Sequence, residues 1–293
     1  MSARLRGIAA ETEDIVATGR YRAANGREVS VAAAVAAARA GTRMFGPGPV
    51  PASPVTGTAV LTGTAVLTGT EAPIGADVVH RVDPVFEVTG ESSLEAARRL
   101  AGAPVAVLNF ASARNPGGGY LNGAQAQEEA LCRASALYTC LLTVRGFYDH
   151  HRADRDPFYT DRVIHSPAVP VFRDDRGRLL AEPYLAGFLT AAAPNAGVVR
   201  RTAPERAADL PGALARRAER VLETAVAHGY RRLVLGAWGC GVFQNDPAQV
   251  AGAFRALLGP DGRFARAFEH VVFGVLDRTP GTVVRAAFVR AFA

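Results

Sequence analysis

Two adjacent carboxylic acids, Glu128 and Glu129, end the stretch NPGGGYLNGAQAQEE at residues 115–129, shortly after three consecutive glycines. A positioned carboxyl group can give a proton to a leaving atom and later take one from water, which is general acid–base catalysis. If the pair begins a helix, the two side chains point about 100° apart and do not form a matched pair across one bond. We therefore expect one acid to transfer the proton and the other to orient a substrate. In the alternative, both are first-turn acids favoured by the helix dipole.

The three glycines before these acids, Gly117, Gly118 and Gly119, predict that the backbone comes close to another group, because glycine is otherwise entropically unfavourable. A second glycine-rich stretch, LVLGAWGCGVF at residues 233–243, also follows an apolar run. Such loops can point several N–H groups at one anion, for example a diphosphate. Neither stretch has the spacing of the GxxxxGK[ST] loop or of the GxGxxG fingerprint. Together they predict one nucleotide-like ligand held between them, although each alone also fits a tight strand-to-helix connection.

The chain from about residue 84 predicts the strands and helices that would position these loops. Apolar runs predict strands at residues 84–90, 104–111, 163–172, 188–197, 231–237 and 270–277. Helical patterns cover residues 92–101, which begin with a Ser cap, and residues 127–144, 212–228 and 247–258. Alternation of this kind is typical of an α/β architecture with a largely parallel or mixed sheet. Ligands of such sheets bind beyond the carboxyl ends of the strands, where both glycine loops fall.

The first 83 residues have a different pattern, and we divide the chain into an N-terminal accessory extension at 1–83 and a catalytic core at 84–293. Residues 3–17 predict a helix, and the Asn25-Gly26 pair within RYRAANGREVSV predicts a hairpin. The tandem repeat TGTAVLTGTAVLTG at residues 56–69 is interpreted as an expanded strand or loop.

Composition limits the class of protein. The chain has 49% hydrophobic and 20% charged residues, an ordinary globular balance. Acidic residues near the start argue against a secretion signal, and the lack of an apolar run of roughly 18 residues argues against a membrane span. We therefore expect a cytoplasmic protein. Three cysteines without paired spacings predict reduced thiols and no metal site.

All 33 basic residues are arginine, which suits phosphate binding or reflects a codon bias. Basic runs with interleaved aromatic residues are lacking, which disfavours nucleic-acid binding.

Several other polar residues are interpreted as structural. His150 and His151 lie in YDHHRADRD, which we interpret as a solvated charged loop, whereas His165 and His228 lie in apolar stretches that favour core or cap positions. The second glycine loop contains Cys240, whose pKa the amides of a helix N-terminus could lower, but no His or acid lies near it in sequence to support a nucleophile.

The stretch NPGGGYLNGAQAQEE resembles the signature of poly(ADP-ribose) glycohydrolases, in which three glycines are followed after a short spacer by Gln-Glu-Glu. The second loop, GAWGCGVFQND at residues 236–246, resembles the diphosphate loop of the same family and of macrodomains in general. The resemblance runs from about residue 84 to the end and is to the compact bacterial type. It implies a macrodomain-like three-layer α/β/α sandwich with a mixed central sheet and an N-terminal helical extension. The implied activity is hydrolysis of ribose–ribose O-glycosidic bonds in poly(ADP-ribose), within the DNA damage response.

The resemblance also implies roles for single residues. Glu129 would be the general acid and base, and Glu128 would hold ribose hydroxyls. Adenine would lie near residues 110–112 and the loop after the last strand. Asn115 would bind the ribose beside the cleaved bond, and Phe243 would pack against ribose or base. The diphosphate would accept from the N–H groups of Gly239, Cys240, Gly241 and Val242. The remaining expected substrate-binding residues are Gly117, Gly118, Gly119 and Gln127. No cofactor or metal is required.

The expected partners are poly(ADP-ribose), ADP-ribose and ADP-ribosylated proteins, bound by a monomer. A non-catalytic macrodomain that reads ADP-ribose is one alternative, and a hydrolase of mono-ADP-ribosyl esters or O-acetyl-ADP-ribose is another. A reader module has no need of the Gln-Glu-Glu sequence at residues 127–129, so its presence favours the enzyme.

Overall fold

A computed structural model describes residues 2–50 and 83–292 of the chain. Its helices are α1 (Ala3–Thr18), α2 (Ala32–Gly41), α3 (Ser93–Leu100), α4 (Gln127–Ala134), α5 (Leu137–Leu141), α6 (Arg145–Ala153), α7 (Ala196–Thr202), α8 (Leu210–Ala227), α9 (Pro247–Leu258) and α10 (Val283–Phe292). Its strands are β1 (Arg20–Arg22), β2 (Glu28–Ser30), β3 (Arg43–Phe45), β4 (Val85–Thr89), β5 (Val105–Phe110), β6 (Val163–Arg173), β7 (Leu179–Ala191), β8 (Arg232–Leu235) and β9 (His270–Gly274).

The centre of the protein is a seven-stranded mixed sheet in the order β3-β6-β7-β5-β8-β9-β4. The neighbours β7, β5, β8, β9 and β4 run parallel, and β6 is antiparallel to both β3 and β7. Strand β5 lies at the middle and its first five residues are buried, which explains its continuous apolar run. The predicted mixed sheet is confirmed.

Two helical layers cover the sheet. Residues of α1, α2, α4, α5 and α6 pack with Val107, Ile164 and Phe188 on one face. Residues of α8, α9 and α10 pack with Leu108, Leu189 and Phe273 on the other. Because side chains alternate along each strand, neighbours such as Val107 and Leu108 enter opposite cores. This arrangement confirms the predicted three-layer α/β/α sandwich.

The prediction of one helix over residues 127–144 is wrong. Helix α4 ends at Ala134 because Ser135 adopts an extended conformation, with φ −146° and ψ 176°. The Ser135 hydroxyl donates to Leu131 O at 2.7 Å and accepts from Leu137 N at 3.2 Å, and its backbone forms a bridge to Val171. A polar side chain thus replaces the helical hydrogen bonds at this point and lets α5 begin in a new direction.

The interpretation of YDHHRADRD as a loop is also wrong in its first half, because Arg145–Ala153 forms α6. This helix buries His151, whose Nε2 lies 2.7 Å from Thr160 Oγ1. The alternating charges lie on the exposed face of a short amphipathic helix.

The N-terminal segment forms the expected helix α1 and the expected hairpin, in which Tyr21 pairs with Val29. It also supplies β3, which pairs with β6 at the edge of the sheet and was not predicted. Helix α10 was likewise not predicted. The repeat at residues 56–69 lies outside the described residues, and the division at residue 83 stays a prediction. In the described part of the chain, every helix is too short or too polar to cross a bilayer.

Candidate active site

Helix α4 is attached to the end of β5 by the side chain of its first residue, Gln127. The Gln127 oxygen accepts from Phe110 N at 2.9 Å, and its Nε2 donates to Leu108 O at 2.7 Å and to Ser93 Oγ at 3.1 Å. Since its oxygen and its amide nitrogen are bonded within the protein, Gln127 positions α4, and because it also lines the cleft its expected role in substrate binding stays a prediction.

The Glu128 side chain points toward β5 and is only 3% exposed. Its Oε2 accepts from Ser112 N at 2.7 Å, and its Oε1 accepts from Asn109 Nδ2 at 3.3 Å. The Asn109 amide also donates to Thr190 Oγ1 at 3.1 Å. Burial raises the pKa of the Glu128 carboxyl to about 8, and the hydrogen bonds from Ser112 and Asn109 offset only part of this effect. At neutral pH the neutral acid is therefore the favoured form of Glu128.

The Glu129 side chain turns the other way, as expected for consecutive helical residues, and lies on the wall of a large cleft. Its Oε1 accepts from Gly119 N at 2.9 Å, and the residue is 8% exposed. Its Oε2 has no hydrogen bond with any residue in ranges 2–50 and 83–292. One oxygen is thus fixed by the glycine loop and the other is free to act on a bound molecule.

The glycine run is needed because side chains of the protein itself come close to it. Gly117 and Gly118 have φ angles of 66° and 58°, in the left-handed region. A Cβ at Gly118 would lie 2.5 Å from Glu129 Oε1 and 3.3 Å from Glu128 Oε2, and one at Gly117 would lie 2.9 Å from Tyr138 Cδ2. The close approach expected from the sequence is therefore that of the two carboxylates and a tyrosine ring. The exposed Asn115 begins this loop, and its carbonyl accepts from Gly118 N at 2.9 Å.

The second glycine loop connects β8 to α9 and is fixed from below. Trp238 Nε1 donates to Ala191 O at 3.0 Å, and Asn245 Nδ2 donates to Pro194 O at 2.8 Å and to Gly239 O at 3.2 Å. Gly239 has φ 70°, and a Cβ there would lie 2.5 Å from Asn245 Nδ2. The backbone of this loop is therefore held in one shape before any ligand arrives.

The free N–H groups of this loop differ in part from those expected. Cys240 N donates to Ala237 O at 3.1 Å and is not available to an anion. The N–H groups of Gly239, Gly241 and Val242 form no hydrogen bond within the part of the chain that the structure describes. Val242 is 84% exposed, so its backbone is open to a ligand. Burial raises the pKa of the Cys240 thiol to about 12, contrary to the lowering considered from the sequence, so this thiol is a poor nucleophile.

The loop ends with an aromatic pair at the cleft. The Phe243 ring is partly buried and lies 5.8 Å, between centroids, from the Tyr159 ring. Both Tyr159 and Gln244, the residue after Phe243, adopt left-handed φ angles, 57° and 56°. Non-glycine residues rarely adopt this conformation, and it is frequent at functional sites.

One cleft of about 1640 Å³ joins the two loops. Its lining includes Phe110, Ala111 and Ser112 and the loop after β9, residues 275–279, which are the regions expected to contact adenine. Asp277 organises that loop by accepting from Thr279 N at 2.8 Å and from Val284 N at 2.8 Å. The expected site residues all line the cleft except Gly117, although the Gln127 amide and the Cys240 N–H are also bonded within the protein.

Sequence reasoning missed that Asn109 and Ser112 hold Glu128 and that Asn109 is in turn bonded to Thr190. Asn109 is a polar residue inside the apolar run VAVLNF and is fully buried. A buried amide must find hydrogen-bond partners, so its place in that run was the signal that could have identified it.

Comparison with known proteins identifies relatives over nearly the full chain. The family model described as microbial-type PARG, catalytic domain, matches residues 9–174. The chain is 47% identical to poly(ADP-ribose) glycohydrolase from Thermomonospora curvata, over 99% of this chain and 100% of that one, with a TM-score of 0.86. The same protein bound to the inhibitor ADP-HPD gives 47% identity, the same coverage and a TM-score of 0.83. Poly(ADP-ribose) glycohydrolase from Deinococcus radiodurans in complex with ADP-ribose gives 42% identity over 88% of this chain and 96% of that one, with a TM-score of 0.74. A search of curated proteins found no match.

These similarities extend well beyond the two glycine loops on which the resemblance rests. The matched residues 9–174 include most of α1, the glycine run and both acids. They confirm the predicted family and the macrodomain-like fold, whereas the roles of single residues and the cytoplasmic location stay predictions. The chain belongs to the microbial-type poly(ADP-ribose) glycohydrolases, glycosidases that act on ribose–ribose O-glycosidic bonds.

Proposed function

We propose that the cleft binds an ADP-ribose unit of poly(ADP-ribose) and that Glu129 is the general acid and base that releases it. The observation that carries this assignment is the asymmetric environment of the Glu129 carboxylate. Gly119 N–H fixes Oε1 at 2.9 Å, and Oε2 has no bond among the described residues. By contrast, both oxygens of Glu128 are held by Ser112 and Asn109.

In the proposed reaction, protonated Glu129 gives its proton to the ribose oxygen that leaves. The bond between this oxygen and the anomeric carbon breaks, and positive charge develops on that carbon. The carboxylate formed on Glu129 is stabilised by the Gly119 N–H and takes a proton from a water molecule that attacks the carbon. The nearby substrate diphosphate stabilises the positive charge electrostatically.

Glu128 has a supporting role in this scheme. Its raised pKa favours the neutral carboxylic acid at neutral pH, so the carboxyl O–H can donate a hydrogen bond to a ribose hydroxyl. A neutral Glu128 also avoids a second negative charge beside Glu129 while the substrate diphosphate is bound. Asn109 and Ser112 keep the side chain in place.

The rest of the ligand follows from the lining of the cleft. The N–H groups of Gly239, Gly241 and Val242 bind the diphosphate, which requires no arginine side chain. Phe243 packs against the ribose next to the diphosphate, and Asn115 binds the ribose beside the cleaved bond. Adenine lies between residues 110–112 and the loop at 275–279.

The test compares parent protein, Glu129→Gln and Glu128→Gln with automodified poly(ADP-ribose) in the presence of a metal chelator. We expect the parent to release ADP-ribose and Glu129→Gln to lose about 100- to 10,000-fold in rate, the usual contribution of a general acid–base group. ADP-ribose binding by calorimetry should change little, since Gln has nearly the shape of Glu.

A fully active Glu129→Gln variant would contradict the assignment of the acid. Parent protein that binds ADP-ribose and releases none would favour a reader module, and release of protein-linked monomer alone would favour an ester hydrolase. Glu128→Gln retains the mechanism's acid and should keep more activity than Glu129→Gln. Equal losses in both variants would contradict their division of roles.

A further inference from the structure

Helix α1 contains a half-buried carboxylate, Glu13, that has no part in the proposed reaction. Its Oε1 accepts from the hydroxyl of Tyr120 at 2.9 Å, and that hydroxyl also lies 3.2 Å from Ala9 O. Tyr120 is only 1% exposed and follows the glycine run directly. A buried phenol needs a hydrogen-bond partner, so Glu13 and Ala9 determine where the tyrosine ring sits.

The position of Tyr120 in turn determines the shape of the glycine loop. Tyr120 N donates to Gly117 O at 3.0 Å, and the neighbouring Gly119 N donates to Glu129 Oε1 at 2.9 Å. The Tyr120 ring packs on Tyr138, with 5.1 Å between the ring centroids, and Tyr138 lies against Gly117. One connected set of contacts therefore runs from Glu13 to the carboxylate of Glu129.

Helix α1 holds the same unit at two further points. Ser2 N donates to Gly123 O at 3.2 Å, where the turn after the glycine run ends. Thr12 Oγ1 donates to Arg133 O at 2.8 Å, near the end of α4. The loop and the helix that contain the active carboxylate are thus both bonded to α1.

We propose that Glu13 is a positioning residue for hydrolysis, which acts through Tyr120 on the glycine loop that orients Glu129. The inference rests on the proposed function of Glu129. Glycine gives this loop many accessible backbone conformations, so the correct one needs contacts from outside the loop. Small displacements of a reacting group cost large factors in rate, whereas the second glycine loop is held by other contacts, those of Trp238 with Ala191 and of Asn245 with Pro194.

The decisive variants are Glu13→Ala, Tyr120→Phe and Glu13→Gln. The first two break the bond between the residues, and Gln retains an oxygen that can accept from the phenol. We expect kcat with poly(ADP-ribose) to fall by about 10- to 100-fold in the first two variants. Glu13→Gln should recover most of the rate, and affinity for ADP-ribose should stay within about threefold in all. The double variant Glu13→Ala/Tyr120→Phe should be no slower than the slower single variant, because both remove the same bond.

Asp14→Ala is the matched control, because Asp14 is the next residue of the same helix, is also an acid and is exposed. It should keep the parent kcat. Parent-like kcat in Glu13→Ala and Tyr120→Phe, or an equal loss in Asp14→Ala, would overturn the proposal. If Glu13→Ala does not fold, Tyr120→Phe carries the test because it removes only a hydroxyl. Full activity of Glu129→Gln in the same assay contradicts the proposed function instead, so the two failures are distinguishable.

Discussion

Replacement of Glu128 by Gln should change how the stability of the protein depends on pH. The pKa of Glu128 is about 8 in the folded protein and 4.5 for the free side chain. Between these pH values the folded chain keeps a proton that the unfolded chain has released. The free energy of unfolding should therefore fall as pH rises through this range, and the decrease should be complete above it.

The size of the effect follows from the same two pKa values. At about 1.4 kcal/mol for each pH unit, the free energy of unfolding should decrease by at most about 5 kcal/mol in total once the pH exceeds 8. The Gln variant avoids this cost because it never ionises. It has only one acceptor oxygen for the two donors Ser112 N and Asn109 Nδ2, which costs about 1–2 kcal/mol at every pH. We thus expect Glu128→Gln to be less stable than the parent at acidic pH and more stable at alkaline pH.

The assay is urea unfolding of both proteins from pH 5 to pH 9, with the midpoint compared at constant m-value. Other titrating groups are shared, so the difference between the two curves isolates Glu128. A crossing of the curves is expected. Parallel curves would refute the reasoning, because they would show that Glu128 ionises in the folded state as easily as in the unfolded one.

Two more predictions concern other parts of the fold. Burial and the neighbouring His228 lower the pKa of His165 to about 3 from 6.5, so the stability it contributes is present above 6.5 and is lost as the pH falls toward 3. His165→Gln should flatten this acid decrease, measured by thermal unfolding from pH 4 to pH 7, and an unchanged slope would contradict the assignment. Gly118→Ala should cost about 1–2 kcal/mol through backbone strain and lower ADP-ribose release by about 100-fold, because the new Cβ displaces Glu129. Gly102→Ala, where a Cβ meets nothing within 4 Å, is its control and should retain both stability and rate.

Local patterns in the sequence were sufficient for elements whose environment is uniform. The run PVAVLNFA predicted β5 because both of its faces are buried. Ser92 predicted the start of α3, where its hydroxyl accepts from Glu95 N at 3.1 Å in a capping box. The glycine loops were placed at the carboxyl ends of strands because each directly follows an apolar strand pattern, and glycines of this kind mark loops.

Elements defined by distant contacts could not be read in this way. Strand β3 has only the residues Arg43–Phe45, too few for a period, and exists because it pairs with β6. The break at Ser135 depends on a bridge to Val171. The intramolecular hydrogen bonds of the Gln127 amide could not be predicted because its partners on β5 and α3 become neighbours only in the folded chain.

The strand order has a consequence for how the chain reaches its folded state. The two edges of the sheet pair residues that lie far apart in sequence, Arg43 with His165 and Val85 with His270. During synthesis β4 emerges long before its neighbour β9, because the paired residues Val85 and His270 lie far apart in the chain. Until β9 emerges, the backbone donors and acceptors of β4 are open to other chains, a state that favours aggregation. The high contact order of this topology predicts slower folding than that of a helical bundle of equal length.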